Sequence, residues 1–270
     1  MAGAKIIATA NQKGGVAKTS TVRNLSYSLA ELGKRVLVVD FDPQSNLTMS
    51  FGVIPQKVKH TSGTLMILLL TEEALPDKAE YIQTIGKVDL IPASKALTVA
   101  EVNLLITPGS NDYLKKLLNP LRPFYDYILI DTSPALGALT INALTVADEV
   151  VIPIDPEIFA LTGLHALMDS IQRVRENLNP HIKIAGVLFT KCMVRTKLYQ
   201  DAKNEIKKSF AHVPMFECVI PMTVRVGEAN NRGLAVEEYA ENSPAAAAYR
   251  RLAREVLTYA QDQPKIENAG

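Results

Sequence analysis

The stretch "NQKGGVAKTS", residues 11–20, constrains this chain more than any other. It follows a short apolar run (6–10) and leads into a helical pattern, so it reads as strand, glycine loop, helix. A helix start after paired glycines is a cradle for phosphate, because bare backbone N–H groups and the helix dipole both face the anion. Gly14 and Gly15 let the backbone approach oxygens closely, Lys18 can reach the β and γ phosphates, and the Thr19 hydroxyl can ligate Mg²⁺. The common pattern GxxxxGK[ST] is not met, since Gln12 and Ala17 stand where its glycines belong. Alanine is expected to be tolerated at 17, because a residue entering a helix needs no positive φ. The loop also carries a second lysine, Lys13, which one phosphate cluster does not require.

Six further apolar runs, at 36–39, 88–91, 127–130, 150–154, 184–189 and 216–220, alternate with helical patterns. That alternation predicts an α/β fold: a doubly wound, mostly parallel sheet with helices on both faces. Between the first two runs, Val22, Leu25, Leu29 and Leu32 recur at steps of three and four and form one apolar face that ends at Gly33. Segments 55–63 and 107–112 are rich in turn residues and read as surface loops. Near the end, Ser243 is placed to cap a helix with Pro244 at its first position. No linker or repeat divides the chain, so residues 1–270 are expected to form a single domain.

Composition narrows the function. The 29 Lys and Arg residues nearly balance 28 Asp and Glu, so any nucleic-acid binding has to come from a local patch. Cys192 and Cys218 form no CxxC pair and read as reduced thiols, and the four histidines have no ligand spacing. The apolar stretch 65–70 is far short of the ~20 residues that a membrane span needs. The start "MAGAKIIATA" reads as a buried strand rather than a signal peptide, which points to a cytoplasmic protein.

Three carboxylates make the loop specific. Asp40 and Asp42 end the second predicted strand and Asp131 ends a later one. In an open parallel sheet the carboxyl ends of the strands share one crevice, so all three should face the phosphate loop. Three strand-end acids and a Lys-Thr helix start together make a Mg-nucleotide site.

With these residues the chain resembles the ParA/MinD family of deviant-Walker P-loop ATPases, most of all its small, Soj-like ParA partition members. KGGxxK[ST], here residues 13–19, is the family's variant loop; "DFDPQSN" resembles its second motif and "YILIDTSP" its Walker B segment. The likeness continues through "IPMTVRVGEA" (220–229) and "SPAAAAYRRLAREV" (243–256), so it covers nearly the whole chain.

The resemblance implies ATP and Mg²⁺ as cofactors. Lys13, Gly14, Gly15, Val16, Ala17, Lys18, Thr19 and Ser20 would bind the nucleotide, with Pro221 and Met222 at the adenine. It implies that Thr19, Asp131 and Asp40 serve the metal region and that Asp42 positions the attacking water. Thr132 stands where many P-loop motors carry a glutamate base, so hydrolysis is expected to be slow. Two ammonium groups on one phosphate cluster repel by a few kcal/mol at ~4 Å. In the family, the lysine matching Lys13 instead crosses a nucleotide-sandwich homodimer to the partner's phosphates.

The resemblance also implies non-specific DNA binding by the ATP dimer. Segment 191–208 carries six basic residues, Lys191, Arg195, Lys197, Lys203, Lys207 and Lys208, against Asp201 and Glu205. Arg195 and Arg225 are the leading DNA contacts, followed by Lys197, Lys203 and Arg232. No separate DNA-binding domain is expected before Lys5, so operator recognition is not expected of this chain. The implied partner is a ParB-like adaptor that stimulates hydrolysis, and the implied setting is the nucleoid. The alternative is a MinD-like membrane-associated ATPase. Against it stands the ending "AQDQPKIENAG", which is polar where that reading needs a basic amphipathic helix.

Overall fold

The computed structural model describes residues 3–157 and 160–261; the polar ending from residue 262 lies outside the described residues. Eight strands form one sheet: β1 (Lys5–Thr9), β2 (Val36–Phe41), β3 (Gln83–Ile85), β4 (Val88–Ile91), β5 (Tyr127–Thr132), β6 (Glu149–Ile154), β7 (Lys183–Cys192) and β8 (Met215–Pro221). Their order is β3-β4-β2-β5-β1-β6-β7-β8. Every neighbouring pair is parallel except β3 with β4. All seven apolar runs are strands. The short edge strand β3 carries no such run, and its half-exposed residues gave the sequence no apolar signal.

Twelve helices connect and cover the sheet among the described residues: α1 (Lys18–Glu31), α2 (Asn46–Ser50), α3 (Ser62–Leu70), α4 (Lys78–Tyr81), α5 (Ala96–Ile106), α6 (Tyr113–Leu118), α7 (Ala138–Val146), α8 (Ala160–Asn177), α9 (Lys197–Ser209), α10 (Arg225–Asn230), α11 (Val236–Tyr239) and α12 (Pro244–Gln261). Alternate strand residues face opposite layers. Ile6, Leu37, Val39, Ile128 and Ile130 pack toward α3 and α5 to α8, whereas Ile7, Val38, Leu129 and Val151 pack toward α1 and α12. Every residue of β2, β5 and β6 is buried, as parallel strands between two helical layers must be. Val22, Leu25 and Leu29 of α1 are buried as their spacing predicts, while Leu32 lies just past the helix at 41% exposure. Ser243 does cap α12, its hydroxyl accepting from the Ala246 N–H at 3.2 Å.

The loop expected at 55–63 is only partly one. Its last residues cap and begin α3: Thr61 accepts from the Thr64 N–H in a capping box, and Ser62 donates to the Asp40 carbonyl at 2.7 Å. Gly63 is buried where α3 crosses α5, and a Cβ there would stand 2.4 Å from the Leu97 nitrogen. The small residues that read as a turn are small because two helices touch. In 107–112 the loop reading fits better, with Gly109 at φ 73 ahead of a single 3₁₀ turn, Ser110–Asp112.

Candidate functional site

The parallel connections put the ends of β1, β2, β5 and β6 on one rim, with the start of α1 between them. A cavity of about 750 Å³ opens there, lined by Gly14, Gly15, Ala17, Lys18, Thr19 and Ser20 from the loop, Asp42 from β2 and Pro134 from the segment after β5. Asn11 braces the loop from beneath: its amide donates to the Pro153 carbonyl at 2.7 Å, and its Oδ1 accepts from the Lys13 N–H at 2.9 Å. Val16 is buried, and its carbonyl accepts from the Thr190 hydroxyl at 3.1 Å.

Ala17 overturns one expectation. It caps α1 at φ 62, ψ 30, in the left-handed region, so the position where other phosphate loops carry glycine does require positive φ here. The loop has to turn its last N–H groups inward before the helix starts, and Gly15 at φ 78 begins that turn.

The two lysines point to different places. Lys18 is buried, and its ammonium donates to the Asn11 and Lys13 carbonyls at 2.9 and 3.1 Å, underneath the loop. Burial lowers its pKa, against the pull of Asp131 and Asp42. Lys13 runs away from the cradle to Asp155 (2.9 and 3.1 Å) and Glu157 (2.5 Å) beyond β6. Burial alone would lower the Lys13 pKa, but the bonds to Glu157 and Asp155 outweigh it and raise the pKa.

The three aspartates divide as well. Asp40 and Asp131 face each other in the β2–β5 register and are fully buried. The Asp131 Oδ2 accepts from the Thr19 hydroxyl at 2.6 Å, while its Oδ1 is buried without a partner. Burial, then the neighbouring Asp40, pushes the Asp131 pKa well up. A buried carboxylate with an orphaned oxygen, joined to the Thr19 hydroxyl, fits Mg²⁺. Among the described residues no three His, Cys, Asp or Glu side chains form a cage, so Thr19 and Asp131 would hold the ion with help from water and a bound nucleotide rather than from further side chains. The ion would neutralise charge developing on the transferred phosphoryl group.

Asp40 does not join that set. Its Oδ2 accepts from the Thr48 N–H (2.7 Å) and hydroxyl (2.6 Å), and its Oδ1 accepts from the Asp42 N–H (3.2 Å). With both oxygens engaged, Asp40 is a strut that ties the Asp42 segment to α2. Asp42 lies at the cavity wall, where its Oδ1 accepts from the Gln44 N–H at 2.9 Å. Thr132 donates its hydroxyl to the Thr9 carbonyl at 2.9 Å, away from the cavity.

Of the proposed adenine contacts, Pro221 lines a second, adjoining cavity and Met222 does not. The Met222 N–H is tied to the Cys192 carbonyl at 3.0 Å, and its side chain faces out at 59% exposure. Of the basic residues, Arg195 is exposed on the loop after β7 and Arg225 is exposed at the start of α10, just after β8, where Cys192 of β7 pairs with Pro221 of β8. Arg225 is bonded to Glu228 at 3.0 Å, and Arg232 lies 4.8 Å over the Tyr239 ring. Lys197 opens α9 with its side chain exposed, and Lys203 reaches 5.8 Å from the Tyr199 ring. Lys191 belongs to the wall of the nucleotide cavity. Cys192 and Cys218 are buried free thiols whose pKa values burial pushes up to about 12.

Asn11, Thr48, Asp155, Glu157 and Asn230 were not singled out from the sequence. Asp155 ends a strand, as Asp131 does, and the same rule of strand-end acids would have found it.

The sequence model of a family described as an AAA domain matches residues 4–184. The Sporulation initiation inhibitor protein Soj of Bacillus subtilis is 41% identical over 257 residues, covering 93% of this chain and 98% of that protein. The Chromosome partitioning protein ParA of Caulobacter vibrioides is 39% identical over 261 residues, covering 96% of each. Among solved structures, the cobyrinic acid a,c-diamide synthase of Mycobacterium smegmatis with an ATP analogue and magnesium superimposes with a TM-score of 0.82 at 32% identity, covering 96% of each chain. The septum site-determining protein MinD of Pyrococcus horikoshii with Mg-ADP gives 0.76 at 25% identity, covering 97% of this chain and 100% of that one. A loop with Lys18 and Thr19 at a helix start, an Asp131 bonded to Thr19 with one oxygen left free, and relatives that match over nearly the full length agree: the chain belongs to the ParA/MinD family of P-loop ATPases, is Soj-like within it, and has ATP and Mg²⁺ as its cofactors.

Proposed function

We propose that this chain acts as a single ATPase domain, residues 1–270, in a ParA-type partition switch. ATP closes two copies into a nucleotide-sandwich dimer, the dimer binds DNA without sequence preference, and slow hydrolysis resets it. A ParB-like adaptor speeds the reset and couples it to a cargo, such as a plasmid or chromosome, over the nucleoid in the cytoplasm. The observation that carries this reading is the opposed direction of the two loop lysines. Lys18 serves the loop's own phosphate site. Lys13 is held at the rim, with its side chain 29% exposed, where a second subunit's nucleotide can compete for it with Asp155 and Glu157. That is the logic of a cation supplied in trans. Thr132, bonded to a backbone carbonyl, provides no strong base, which supports slow turnover paced by Asp42 and its water. The likeness to ParA, a chromosome partitioning protein, and to Soj supports a partition role.

The test compares Lys13→Ala with its parent in an Asp42→Ala background that slows hydrolysis, using light scattering after gel filtration in Mg-ATP. The parent should run as a dimer. Lys13→Ala should stay monomeric while binding ATP within about threefold of the parent, since Lys18 is intact. Dimerisation by Lys13→Ala as strong as the parent's would remove the trans role. Co-sedimentation of the parent with anionic vesicles, and not with DNA, would favour the membrane-associated alternative.

A further inference from the structure

We infer that Asn230 reads the nucleotide base, its side-chain Oδ1 accepting a hydrogen bond from the exocyclic amine of adenine and so setting a preference for ATP over GTP. The inference rests on the nucleotide site alone and is independent of the partition reading.

Two cavities meet at this residue. The phosphate cavity and the adjoining one, about 290 Å³, share Ala17, Ser20, Lys191 and Asn230 as a common wall. With the phosphates fixed by the loop, the remainder of the nucleotide has to leave past Ser20, and the adjoining cavity lies there. Ile220, Pro221, Val224 and Val226 give it apolar sides suited to a flat ring. Met222 and the Thr223 hydroxyl contribute less: Met222 faces solvent, and the Thr223 Oγ1 already accepts from the Arg225 N–H at 3.1 Å.

The Asn230 amide is half satisfied. Its Nδ2 contacts the Ser20 hydroxyl at 3.5 Å, whereas its Oδ1 is buried with no donor. A buried carbonyl oxygen left unpaired is costly and calls for an explanation, and a ligand donor supplies one. The Ser20 contact turns Nδ2 toward α1 and leaves the acceptor for the base. Adenine offers an N–H donor at its six position. Guanine offers a carbonyl there, which would set two acceptors against each other.

The amide is also held in register with the phosphates. Asn230 ends α10, and its carbonyl accepts from the Gly233 N–H at 3.1 Å. Gly233, at φ +73, lies so close to Gly52 that a Cβ would stand 3.1 Å from the Gly52 backbone. Arg23 donates to the Gly233 carbonyl at 3.1 Å, and the Asn24 Oδ1 accepts from the Val236 N–H at 2.7 Å. Arg23 and Asn24 lie on α1, the helix that begins at Lys18, so the helix at the phosphate cradle also fastens the segment that follows the base reader.

The test is displacement of a fluorescent ADP analogue by ATP, GTP and purine riboside 5′-triphosphate, which is ATP without the exocyclic amine. Wild type, Asn230→Ala and Asn230→Asp are compared. Wild type should bind ATP at least about tenfold more tightly than either competitor. In Asn230→Ala the three should come within about threefold of each other through loss of ATP affinity. Asn230→Asp keeps an acceptor and should keep the preference, even if added charge weakens all three. A wild type that does not distinguish ATP from the purine analogue overturns the inference. So does an Asn230→Ala that weakens all three equally, which is what a merely structural role would do.

Discussion

Ala17 holds a backbone conformation that costs an L-residue about 1–2 kcal/mol. Glycine would remove most of that strain and return a little of it as entropy of the unfolded chain. Ala17→Gly should therefore raise stability by about 1 kcal/mol, read as a higher urea midpoint at unchanged slope. A fall in the midpoint would mean that the methyl group packs usefully in the loop. Several residues of the site could be read from the sequence because their spacing is local or tied to a strand end: Lys18 and Thr19 open a helix, and Asp42 and Asp131 close strands. Glu157 and Asn230 could not. Their partners, Lys13 and Ser20, lie 144 and 210 positions away, and no local pattern records a contact across that distance. The outward placement of Met222 was not legible for a related reason, since its backbone bond is to Cys192 and only the fold supplies that partner.

The element that joins nucleotide to structure is the segment from the end of β2 through α2, and Asp40 is its fastening. Burial pushes the Asp40 pKa up to about 7, despite hydrogen bonds from Thr48 and Asp42 that lower it. A carboxyl whose folded pKa is raised contributes stability below its unfolded value, and that contribution is lost as pH rises through the folded one. The nucleotide-free protein should thus lose stability from Asp40 between about pH 4 and 7. Asp40→Asn, which removes the titration, should flatten that part of the curve in urea melts at pH 5 and 8. Equal slopes in the two proteins would contradict the assignment. The strands of this region were legible because buried parallel strands run apolar until the functional residues at their ends. The start of α3 was not, because Ser62 and Gly63 look like a turn until α5 is packed on them.

At the scale of the molecule, a near-neutral protein carries exposed basic residues on the segments that follow two adjacent strands. Arg195 and Arg225 leave the joined ends of β7 and β8, and Lys197 and Lys203 follow on α9. In the proposed switch a single copy would offer few phosphate contacts, and pairing two copies would double them and multiply the affinity. Nucleotide state would then switch DNA binding without any change in the patch itself. The most direct measurement is binding to random-sequence duplex DNA across a salt series, with Mg-ATP, Mg-ADP and no nucleotide, for wild type, Asp42→Ala and Arg195→Ala. Binding should appear only with Mg-ATP and persist longer in Asp42→Ala. Arg195→Ala should bind more weakly, and its slope of log affinity against log salt should be shallower by about 2, one phosphate contact for each subunit of a dimer. Equal binding in all three nucleotide states, or binding in none, would contradict the switch.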